Sequence, residues 1–579
     1  MKTTSLRARA LACALLAGTF YTAVAATAAS AQSSPTFRTL DPNGVDLVKG
    51  DFLTSFPEGS IGSGEAELAL LRMVGALGGN GTRATSQWDH ILFSTGAAGS
   101  FVDFGSRVDK FPGAESRGAA LSGSGDSYQY RSADGTVIAF SDPSPGDDTT
   151  YCNGSAQSFC VLLPTTITSP DGKVVTINYA FSHICINQPP PQNPDDEPPP
   201  PVCQNTPRIA SVTNSFGYEV RFAYVSAPVT SGTVPASFHQ RTGASFYNSN
   251  AGSSPLASVS YSYPSSGVTD ITDTGGGVWR VTSGASGHAV RRPGASSDTI
   301  GASLSGGVVT SVTNGGVATS YSRSVSGSTA TMTVTNALSQ ASTVISDLTA
   351  GRPTSVTDPL SRTTAFQYDS SGRLTRTTAP EGNYTAYTYD LRGNVTQTET
   401  VPKSGSGLPS IVTSASYDST CSNPKTCNQP NSTTDARGNV TDYTYDSNHG
   451  GVLTVTAPAV GGVRPQARYS YTLTNGEYRL TGTSTCQTGS SCTGTADEVV
   501  SAIAYDVSGN VTSTSSGNGA GTLTAASAMT YDALGNLLTV DGPLSGAADT
   551  MRMRYDNGRR VVGSVSPDPD GGGALKHRA

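Results

Sequence analysis

Charged and aromatic side chains are scarce in this sequence. Only 14% of its 579 residues are charged and 7% are aromatic, and the hydrophobic residues reach no more than 36%. Coiled coils need charge-rich heptads and collagens need glycine at every third position, so both fibrous classes are excluded. The missing charge is replaced by Ser, Thr and Asn, with 65 glycines and 34 prolines. This composition is typical of short strands joined by turns and predicts an all-β fold.

Long apolar segments are absent except at the amino terminus. Residues 1–9 carry three positive charges and no acid, residues 10–24 are mostly apolar, and Ala29-Ser30-Ala31 has the small-x-small pattern of a signal-peptidase site. A signal peptide over 1–31 is therefore predicted, and a retained membrane anchor is the alternative. With the leader removed, no stretch of the chain resembles a transmembrane helix. We expect an exported protein that is extracellular, at the cell surface or in the periplasm.

The charge balance and the missing motifs exclude several function classes. The formal net charge of −7 argues against nucleic acid as a partner. The six histidines are scattered, and the His-Glu-x-x-His, Gly-x-Ser-x-Gly and phosphate-loop signatures are all absent. Trp88-Asp89-His90 has the residue types of a catalytic trio, but adjacent strand residues point to opposite faces, so we do not expect the three side chains to form one site. We predict that the chain is not an enzyme and has no catalytic residue, cofactor or metal site.

Nine cysteines are present, and Cys13 lies in the leader. The other eight form four pairs that are close in sequence, and an even number in an exported chain predicts disulfides. Zinc is the alternative, but the spacings are wider than those of zinc ligands and few histidines lie nearby. The predicted disulfides are Cys152–Cys160, Cys185–Cys203, Cys421–Cys427 and Cys486–Cys492.

Differences in composition and the onset of the repeats divide the chain into four parts. After the leader we expect an amino-terminal β-rich region over 32–165 and a second β-rich region over 166–350. Residues 188–201 of the latter are mostly proline and acid, so they are predicted to be an exposed loop. A repeat array follows over 351–579. The only helical candidate is Glu65–Val74, whose apolar run fits a buried strand nearly as well.

The strongest signal is a motif that recurs from residue 368 onward: Tyr-Asp, two residues, Gly, Asn or Arg, then an aliphatic residue. Four copies keep one spacing, and three variants follow, one with a cysteine-bearing insert, one with an extra residue before Gly and one with a residue fewer. The four regular copies are Tyr368-Asp369 with Gly372, Tyr389-Asp390 with Gly393, Tyr505-Asp506 with Gly509 and Tyr531-Asp532 with Gly535. The variants are Tyr417-Asp418, Tyr445-Asp446 and Tyr555-Asp556.

One repeat can be interpreted physically. Triplets such as Tyr387-Thr388-Tyr389 alternate large and polar residues, which predicts a half-buried strand. The Asp then starts a type I turn and the Gly ends it, with the carboxylate capping turn amides. One hairpin cannot bury its aromatic face, so the units must stack and curl into a large sheet with one enclosed side. Because the Asp recurs seven times, we interpret it as architecture and not as a set of active sites.

These repeats resemble the YD repeats of rearrangement-hotspot (Rhs) proteins, which also occur in teneurins and in insecticidal toxin complexes. The resemblance covers about 360 to 565, and the opening Asp41–Asp46 is more weakly similar to the starts of secreted bacterial members. It implies a spiral of β-hairpins that forms a hollow shell, which in toxin members encloses a carboxy-terminal effector. The expected partners are therefore such an effector or a neighbouring shell segment.

The sequence departs from the family near its end. The motifs that close the shell before a toxin domain are lacking, although Asp568-Pro569-Asp570-Gly571 echoes one of them. We therefore expect an array that is open at its carboxy-terminal end. The leading hypothesis is a non-enzymatic exported shell for cell-surface interaction or effector encapsulation. The alternatives are an adhesin that binds surface glycans through exposed Tyr or Trp, and a truncated fragment without function.

Overall fold

The computed structural model describes residues 39–76, 86–90, 92–96, 99–104, 108–141, 159–186, 202–230, 232–488, 491–546 and 548–567. The predicted leader, the loop at 188–201 and the motif at 568–571 lie outside the described residues. So do Cys152 and the side chains of Cys160, Cys185 and Cys203.

The described chain is almost entirely strand and turn, as the composition predicts. Strands β1 to β9 are Phe52–Ile61, Leu68–Ala76, Leu92–Gly96, Gly99–Asp103, Val108–Phe111, Ala120–Ser124, Ser127–Arg131, Val137–Ser141 and Phe159–Thr168. Strands β10 to β22 are Val174–Ile186, Val202–Asn214, Tyr218–Tyr224, Arg241–Asn248, Ala257–Ser265, Val268–Thr272, Val278–Gly284, Gly287–Arg291, Ile300–Ser305, Val308–Asn314, Val317–Ser326, Thr329–Thr335 and Ala341–Asp347.

The repeat region supplies the remaining strands. Strands β23 to β39 are Arg352–Thr357, Thr363–Tyr368, Leu374–Thr378, Tyr384–Tyr389, Val395–Val401, Ile411–Ser416, Ser432–Thr434, Val440–Tyr445, Val452–Thr456, Gln466–Thr474, Glu477–Cys486, Glu498–Tyr505, Val511–Asn518, Thr524–Tyr531, Leu537–Asp541, Met551–Tyr555 and Val561–Val565.

Helical structure among the described residues is limited to short 3-10 turns at Gly64–Ala66, Gln87–His90, Ala114–Arg117 and Ala236–His239. The candidate helix at Glu65–Val74 is thus mostly strand β2. Trp88, Asp89 and His90 lie in a 3-10 turn rather than in a strand, and the Trp88 ring is buried at 6.4 Å from the Phe222 ring. No helix of the described residues is long and apolar enough to cross a membrane.

The sheet is a single long antiparallel meander. Among the described residues, β1 and β2 form a separate hairpin, and the 37 strands from β3 to β39 form one sheet that is not closed. Each strand from β6 to β39 pairs with the next one along the chain, while β3 to β5 join through the pairing of β3 with β9. This arrangement is the hairpin array that the repeat predicts.

A β-bulge precedes the motif tyrosine in most repeats. The register shifts between Gln367 and Tyr368, between Thr388 and Tyr389, and at the equivalent step of five later strands. A bulge bends its strand and increases the local right-handed twist. Because the bulge recurs at the same end of the hairpins, its bends add up along the sheet and coil it.

The main core lies between the β1–β2 hairpin and one face of the sheet. Phe52, Phe56 and Leu70 of the hairpin are buried against residues from β10 to β22, such as Phe246 and Met332. The sheet contributes these residues at alternate positions, as expected for a half-buried strand. We call this side of the sheet the inner face. A second core of aromatic and aliphatic residues lies among β3 to β9.

Turns that are far apart in sequence contact each other. The Asn428 side chain donates a hydrogen bond to the Ala133 carbonyl at 3.0 Å, and Asn248 donates one to Ala533 at the same distance; the separations are 295 and 285 residues. Such similar separations show that the sheet coils and stacks on itself: the turns between Ala133 and Gly275 belong to the first coil, and those between Asn428 and Gly558 belong to the second coil. We call this line of contact the seam. It joins the turns at Ala133, Asp171, Phe216, Asn248 and Gly275 to those at Asn428, Glu477, Ser508, Ala533 and Gly558.

Candidate functional site: repeat turns, inner face and seam

The Asp of each repeat organises a turn through its carboxylate. At Asp506, Oδ1 accepts hydrogen bonds from the amides of Ser508 and Asn510, both at 2.9 Å, and Oδ2 accepts one from the Asn510 side chain. The Gly509 amide donates to the Asp506 carbonyl, and Gly509 has φ +80°, which favours glycine. The local sequence thus contains most of the groups that the turn needs.

The same hydrogen bonds recur along the array. The residue four positions after the Asp is Asn or Arg, and its side chain donates a hydrogen bond to Oδ2 of the Asp in each case. The turns of this kind begin at Asp358, Asp369, Asp390, Asp435, Asp506, Asp532 and Asp556. The hydrogen bond from Asn439 holds the pKa of Asp435 below its usual range. These carboxylates are engaged within their own turns.

The motif tyrosines bind the backbone of the preceding hairpin. The Tyr368 hydroxyl donates to the Pro353 carbonyl at 2.9 Å, and the Tyr445 hydroxyl donates to the Pro430 carbonyl at 2.7 Å, in each case 15 residues earlier. Tyr389, Tyr417 and Tyr505 make corresponding bonds to Leu374, Val395 and Leu480. For three of these five tyrosines, Tyr368, Tyr445 and Tyr505, burial raises the pKa of the hydroxyl above its usual value. Tyr531 and Tyr555 also end their strands, β36 and β38.

Three motif rings also carry an arginine on one face. The guanidinium of Arg352 lies 5.5 Å from the Tyr368 ring centre, and that of Arg479 lies 4.1 Å from the Tyr505 ring centre. Arg373 stacks on Tyr389 in the same way at 5.0 Å. Such contacts are favourable electrostatically and shield the ring from solvent.

Two of the three variant repeats keep the Asp but change the turn. Asp418 still caps the amides of Thr420 and Ser422, although the cysteine insert follows it. Asp446 is followed by a loop with one extra residue, in which the Gly450 amide donates to the Asp446 carbonyl and the Asn448 amide donates to the Asp446 carboxylate at 2.7 Å. Both insertions are therefore accommodated without losing the carboxylate's role.

The third variant corrects the sequence interpretation. Asp556 was expected to start a turn shortened by one residue, with Gly558 as its glycine. The turn has the common length instead, because the Arg559 amide donates to the Asp556 carbonyl and Arg559 takes the left-handed position at φ +61°. The Arg559 side chain is 6% exposed, and its Nε donates to the Asn536 side chain at 2.8 Å.

Two disulfides are present among the described side chains. Cys421 is bonded to Cys427 and Cys486 to Cys492, with Cα–Cα distances of 4.7 and 5.5 Å. Cys427 directly precedes Asn428, so the cysteine insert also carries a seam residue. The strands β10 and β11 pair Cys185 with Cys203 in register. Their disulfide, and the one between Cys152 and Cys160, stay predictions.

The inner face continues through the repeat array, but there the β1–β2 hairpin does not cover it. Direct cross-strand partners point to the same side of a sheet, and the register leads from the core residue Val344 to Val356 and then to Thr364. Among the described residues, the main core includes only Val356 and Leu534 beyond Val344. The inner row of the array is half-buried and contains Phe366, Tyr387, Tyr443, Tyr469, Ile503, Met529, Val540 and Met553.

The outer face of the same strands differs in chemistry. The residues that follow the inner row are exposed and mostly polar, for example Gln367, Thr388, Ser470 and Arg554. The array is therefore an amphipathic wall: aromatic, aliphatic and Thr side chains line the inner side, and polar ones face outward.

The hairpin is anchored inside the first coil by a buried polar group. Glu58 of β1 is 2% exposed, and its Oε2 accepts a hydrogen bond from the Tyr261 hydroxyl. Arg72 of β2 lies 3.9 Å from Glu58. Burial and the Glu58 charge hold the pKa of Tyr261 well above its usual value. These contacts fix the hairpin against β14 and strengthen the wall.

Several seam residues could not have been identified from the repeat pattern. Arg559 binds the amino-terminal segment, since its Nη1 donates to the Ser60 hydroxyl at 2.9 Å. Glu477 opens β33 and is 1% exposed. One carboxylate oxygen of Glu477 lies within 4.8 Å of one from Glu65 and one from Asp171. In the sequence, Asp171 and Glu477 are marked only by the glycines beside them, Gly172 and Gly476.

The comparisons with known proteins identify the repeat. The family model described as RHS Repeat matches residues 348–384 and 368–405, which are β23 to β27 and the turns between them. The resemblance derived from the Tyr-Asp motif is confirmed over this stretch. No curated protein matches the chain.

Similar solved structures are distant in sequence. A Tc holotoxin pore of Photorhabdus luminescens with a substituted TccC3 component is 12% identical, with a TM-score of 0.36 over 88% of this chain and 31% of that one. A TcdB2-TccC3 structure without its hypervariable carboxy-terminal region is 10% identical, with a TM-score of 0.31 over 91% of this chain and 31% of that one. The chain thus spans about a third of the length of both.

Proposed function

We propose, from the premise that residues 348–405 are RHS repeats, that this chain is an exported, non-enzymatic shell whose inner face encloses a polypeptide. The enclosed polypeptide is an effector or a neighbouring shell segment. The observation that carries the proposal is the inner row of the array. It continues the face that the β1–β2 hairpin covers in the first coil, yet the described core hardly extends onto it.

The chemistry of the row fits a polypeptide occupant. Half-exposed aromatic, methionine and threonine side chains offer apolar contact together with hydroxyl groups, which suits a mixed protein surface. The seam supports the same proposal, because stacked coils shield the interior from solvent and from proteases. The motif carboxylates support a structural role, since turn amides and neighbouring side chains occupy them.

Protease protection of a fused cargo tests encapsulation. A short unstructured reporter peptide is joined after Ala579, and its cleavage by a nonspecific protease is compared with that of the free peptide. We expect cleavage at least tenfold slower in the fusion. Arg559→Ala, which loosens the seam, should restore much of the cleavage rate, whereas the matched control Arg560→Ala should not. Equal cleavage of the fused and the free reporter would contradict the proposal.

Export is tested on the endogenous product. The amino terminus of the protein recovered outside the cytoplasm is sequenced, and Gln32 is expected as its first residue. A cytoplasmic product that begins at Met1 would overturn this part of the proposal. The mass of the same product shows whether the chain is made as part of a longer protein.

The adhesin hypothesis has less support from the geometry. Five motif tyrosines already use their hydroxyls on backbone carbonyls, and three of these rings are stacked by arginine. A sugar ring needs an open aromatic face, so it would have to use other residues. Binding of the purified chain on a glycan array, lost on substituting exposed aromatic residues, would revive this hypothesis.

A further inference from the structure

Three carboxylates from distant parts of the chain meet at the seam. Glu65 follows β1 in the amino-terminal segment, Asp171 lies in the turn between β9 and β10, and Glu477 begins β33 in the second coil. One oxygen of each lies within 4.8 Å of the others. The cluster therefore links the hairpin inside the shell to both coils of the wall.

Hydrogen bonds to backbone carbonyls and one close backbone approach hold the three segments together. The Tyr478 amide donates to the Asp171 carbonyl at 2.7 Å, and the Lys173 ammonium donates to the Glu65 carbonyl. Gly172 approaches Gly476 so closely that a Cβ on Gly172 would lie 2.3 Å from the Gly476 oxygen. The carboxylates are thus brought together by the backbone and not by flexible side chains alone.

Glu477 lacks the partners that a buried carboxylate requires. It is 1% exposed, and neither Oε1 nor Oε2 has a hydrogen-bond partner among the described residues. Burying an ionised carboxylate without a partner is costly. Burial, followed by the charge of Asp171, raises the pKa of Glu477 to about 7.

The nearby cations do not complete this site. The Lys173 ammonium is already bonded to the Glu65 carbonyl oxygen. The Arg479 guanidinium lies between aromatic rings, 5.0 Å from the centre of Phe216 and 4.1 Å from that of Tyr505. Three carboxylates thus face two cations, and neither cation donates a hydrogen bond to the Glu477 carboxylate.

We propose that Glu65, Asp171 and Glu477 form a calcium-binding site that fastens the amino-terminal segment and the two coils to one another. The donors are all oxygen, which suits hard divalent cations, and calcium accepts six to eight oxygens at about 2.3–2.6 Å in flexible geometry. Two oxygens on opposite sides of one calcium ion are then about 5 Å apart, in agreement with the spacing of the cluster. Magnesium demands shorter distances and a stricter octahedron, so it fits less well. The site is independent of the enclosed polypeptide.

Calcium binding is measured on the full chain by titration calorimetry and by tyrosine-sensitised terbium luminescence. We expect one calcium ion per chain at this site, bound at least tenfold more tightly than magnesium. Glu477→Gln keeps the shape of the side chain and should abolish this binding. The matched control Glu381→Gln, at a side chain that is 74% exposed, should bind calcium as the unmodified chain does. Equal calcium binding by Glu477→Gln, or none by the unmodified chain, would overturn the proposal.

Melting temperatures distinguish a calcium site from a buried carboxylate that binds no metal. In a chelator, Glu477→Gln should melt at or above the temperature of the unmodified chain, because it removes an unpaired buried carboxylate. With calcium, only the unmodified chain should gain in melting temperature. In the unmodified chain, calcium should also slow hydrogen exchange at least tenfold at the Tyr478 amide, and exchange that is unchanged by calcium would refute the site without any variant.

Discussion

Arg559 and Gly62 are joined across 497 residues of sequence by a hydrogen bond of 2.6 Å from the guanidinium Nη2 to the backbone carbonyl oxygen. The Gly62 amide in turn donates to the Leu534 carbonyl at 2.9 Å. The amino-terminal segment is thereby held by two repeats of the second coil. A residue that departs from the repeat motif thus connects the repeat array to the amino-terminal segment.

Arg559→Ala should release this segment. The substitution removes hydrogen bonds to Asn536, Ser60 and Gly62 from a buried charge, so we expect a loss of about 2–4 kcal/mol in the free energy of local opening. Hydrogen exchange at the Gly62 amide measures it. The neighbouring Arg560 is 73% exposed and its side chain pairs, among the described residues, with Asp556 alone, so Arg560→Ala should cost less than about 1 kcal/mol. Similar losses in both variants would contradict this assignment.

The local turns could be predicted from sequence because each contains its own partners. Asp506, Gly509 and Asn510 lie within five residues, and their spacing determines the hydrogen bonds. The strand that ends at Tyr505 and its alternating faces follow from the same reasoning. The all-β class and the curled hairpin array were predictable for this reason.

The seam could not be predicted, because it depends on the summed curvature of many strands. Whether Asn428 reaches Ala133 or another turn depends on the twist of nearly 300 intervening residues, and each β-bulge alters that twist. The burial of Glu477 cannot be predicted from sequence either, because it depends on the same stacking of distant turns. The role of Arg559 is hidden in the sequence, because Gly558 gives an apparent match to the motif one position too early.

Asp506→Ala should weaken the turn after β34. It removes three hydrogen bonds to a charged acceptor, and we expect a loss of about 1–3 kcal/mol in the opening free energy of the β34–β35 hairpin. Asp506→Asn is the matched control, since its Oδ1 can still accept from the amides of Ser508 and Asn510, and it should lose less. Hydrogen exchange of β35 amides distinguishes the two. An equal loss would show that the charge, and not the turn hydrogen bonds, is what matters.

Gly535 should be less tolerant of a side chain than Gly382. Both glycines have similar backbone angles, at φ +83° and +87°, but a Cβ on Gly535 would lie 2.8 Å from the Gly62 carbonyl carbon, and one on Gly382 would have open space. Gly382→Ala should cost about 1–2 kcal/mol for its strained conformation alone. Gly535→Ala should cost about 1–3 kcal/mol more, because overpacking adds to the strain. Thermal melting of both variants measures the difference, and equal melting temperatures would argue against close packing at the seam.

Removal of the Cys486–Cys492 disulfide should destabilise the loop after β33. The bond closes a short loop, for which the chain-entropy model gives about 2 kcal/mol. The double variant Cys486→Ala with Cys492→Ala should show this loss in hydrogen exchange of β34, and the corresponding pair at Cys421 and Cys427 should behave alike. Peptide mapping without reductant should recover both linked pairs from the native chain. Free thiols at these four positions would refute the assignment.

Alkaline pH should unfold the array through its buried tyrosines. The Tyr471 hydroxyl donates to the Val452 carbonyl at 3.1 Å, and burial raises its pKa to about 12. The unfolded chain releases this proton near pH 10, where the folded chain still keeps it. The contribution of Tyr471 to stability is therefore complete below about pH 10 and is lost as the pH rises to about 12.

Tyr471→Phe isolates this contribution. At neutral pH the variant should lose about 1 kcal/mol, the usual value of one hydrogen bond. Between pH 10 and 12 its melting temperature should fall less steeply than that of the unmodified chain, because one of the titrating groups is gone. Tyrosinate absorbance recorded with the melts tells whether ionisation and unfolding coincide. If the unmodified chain ionised fully while still folded, the tyrosine hydroxyls would not be the groups that hold neighbouring hairpins together.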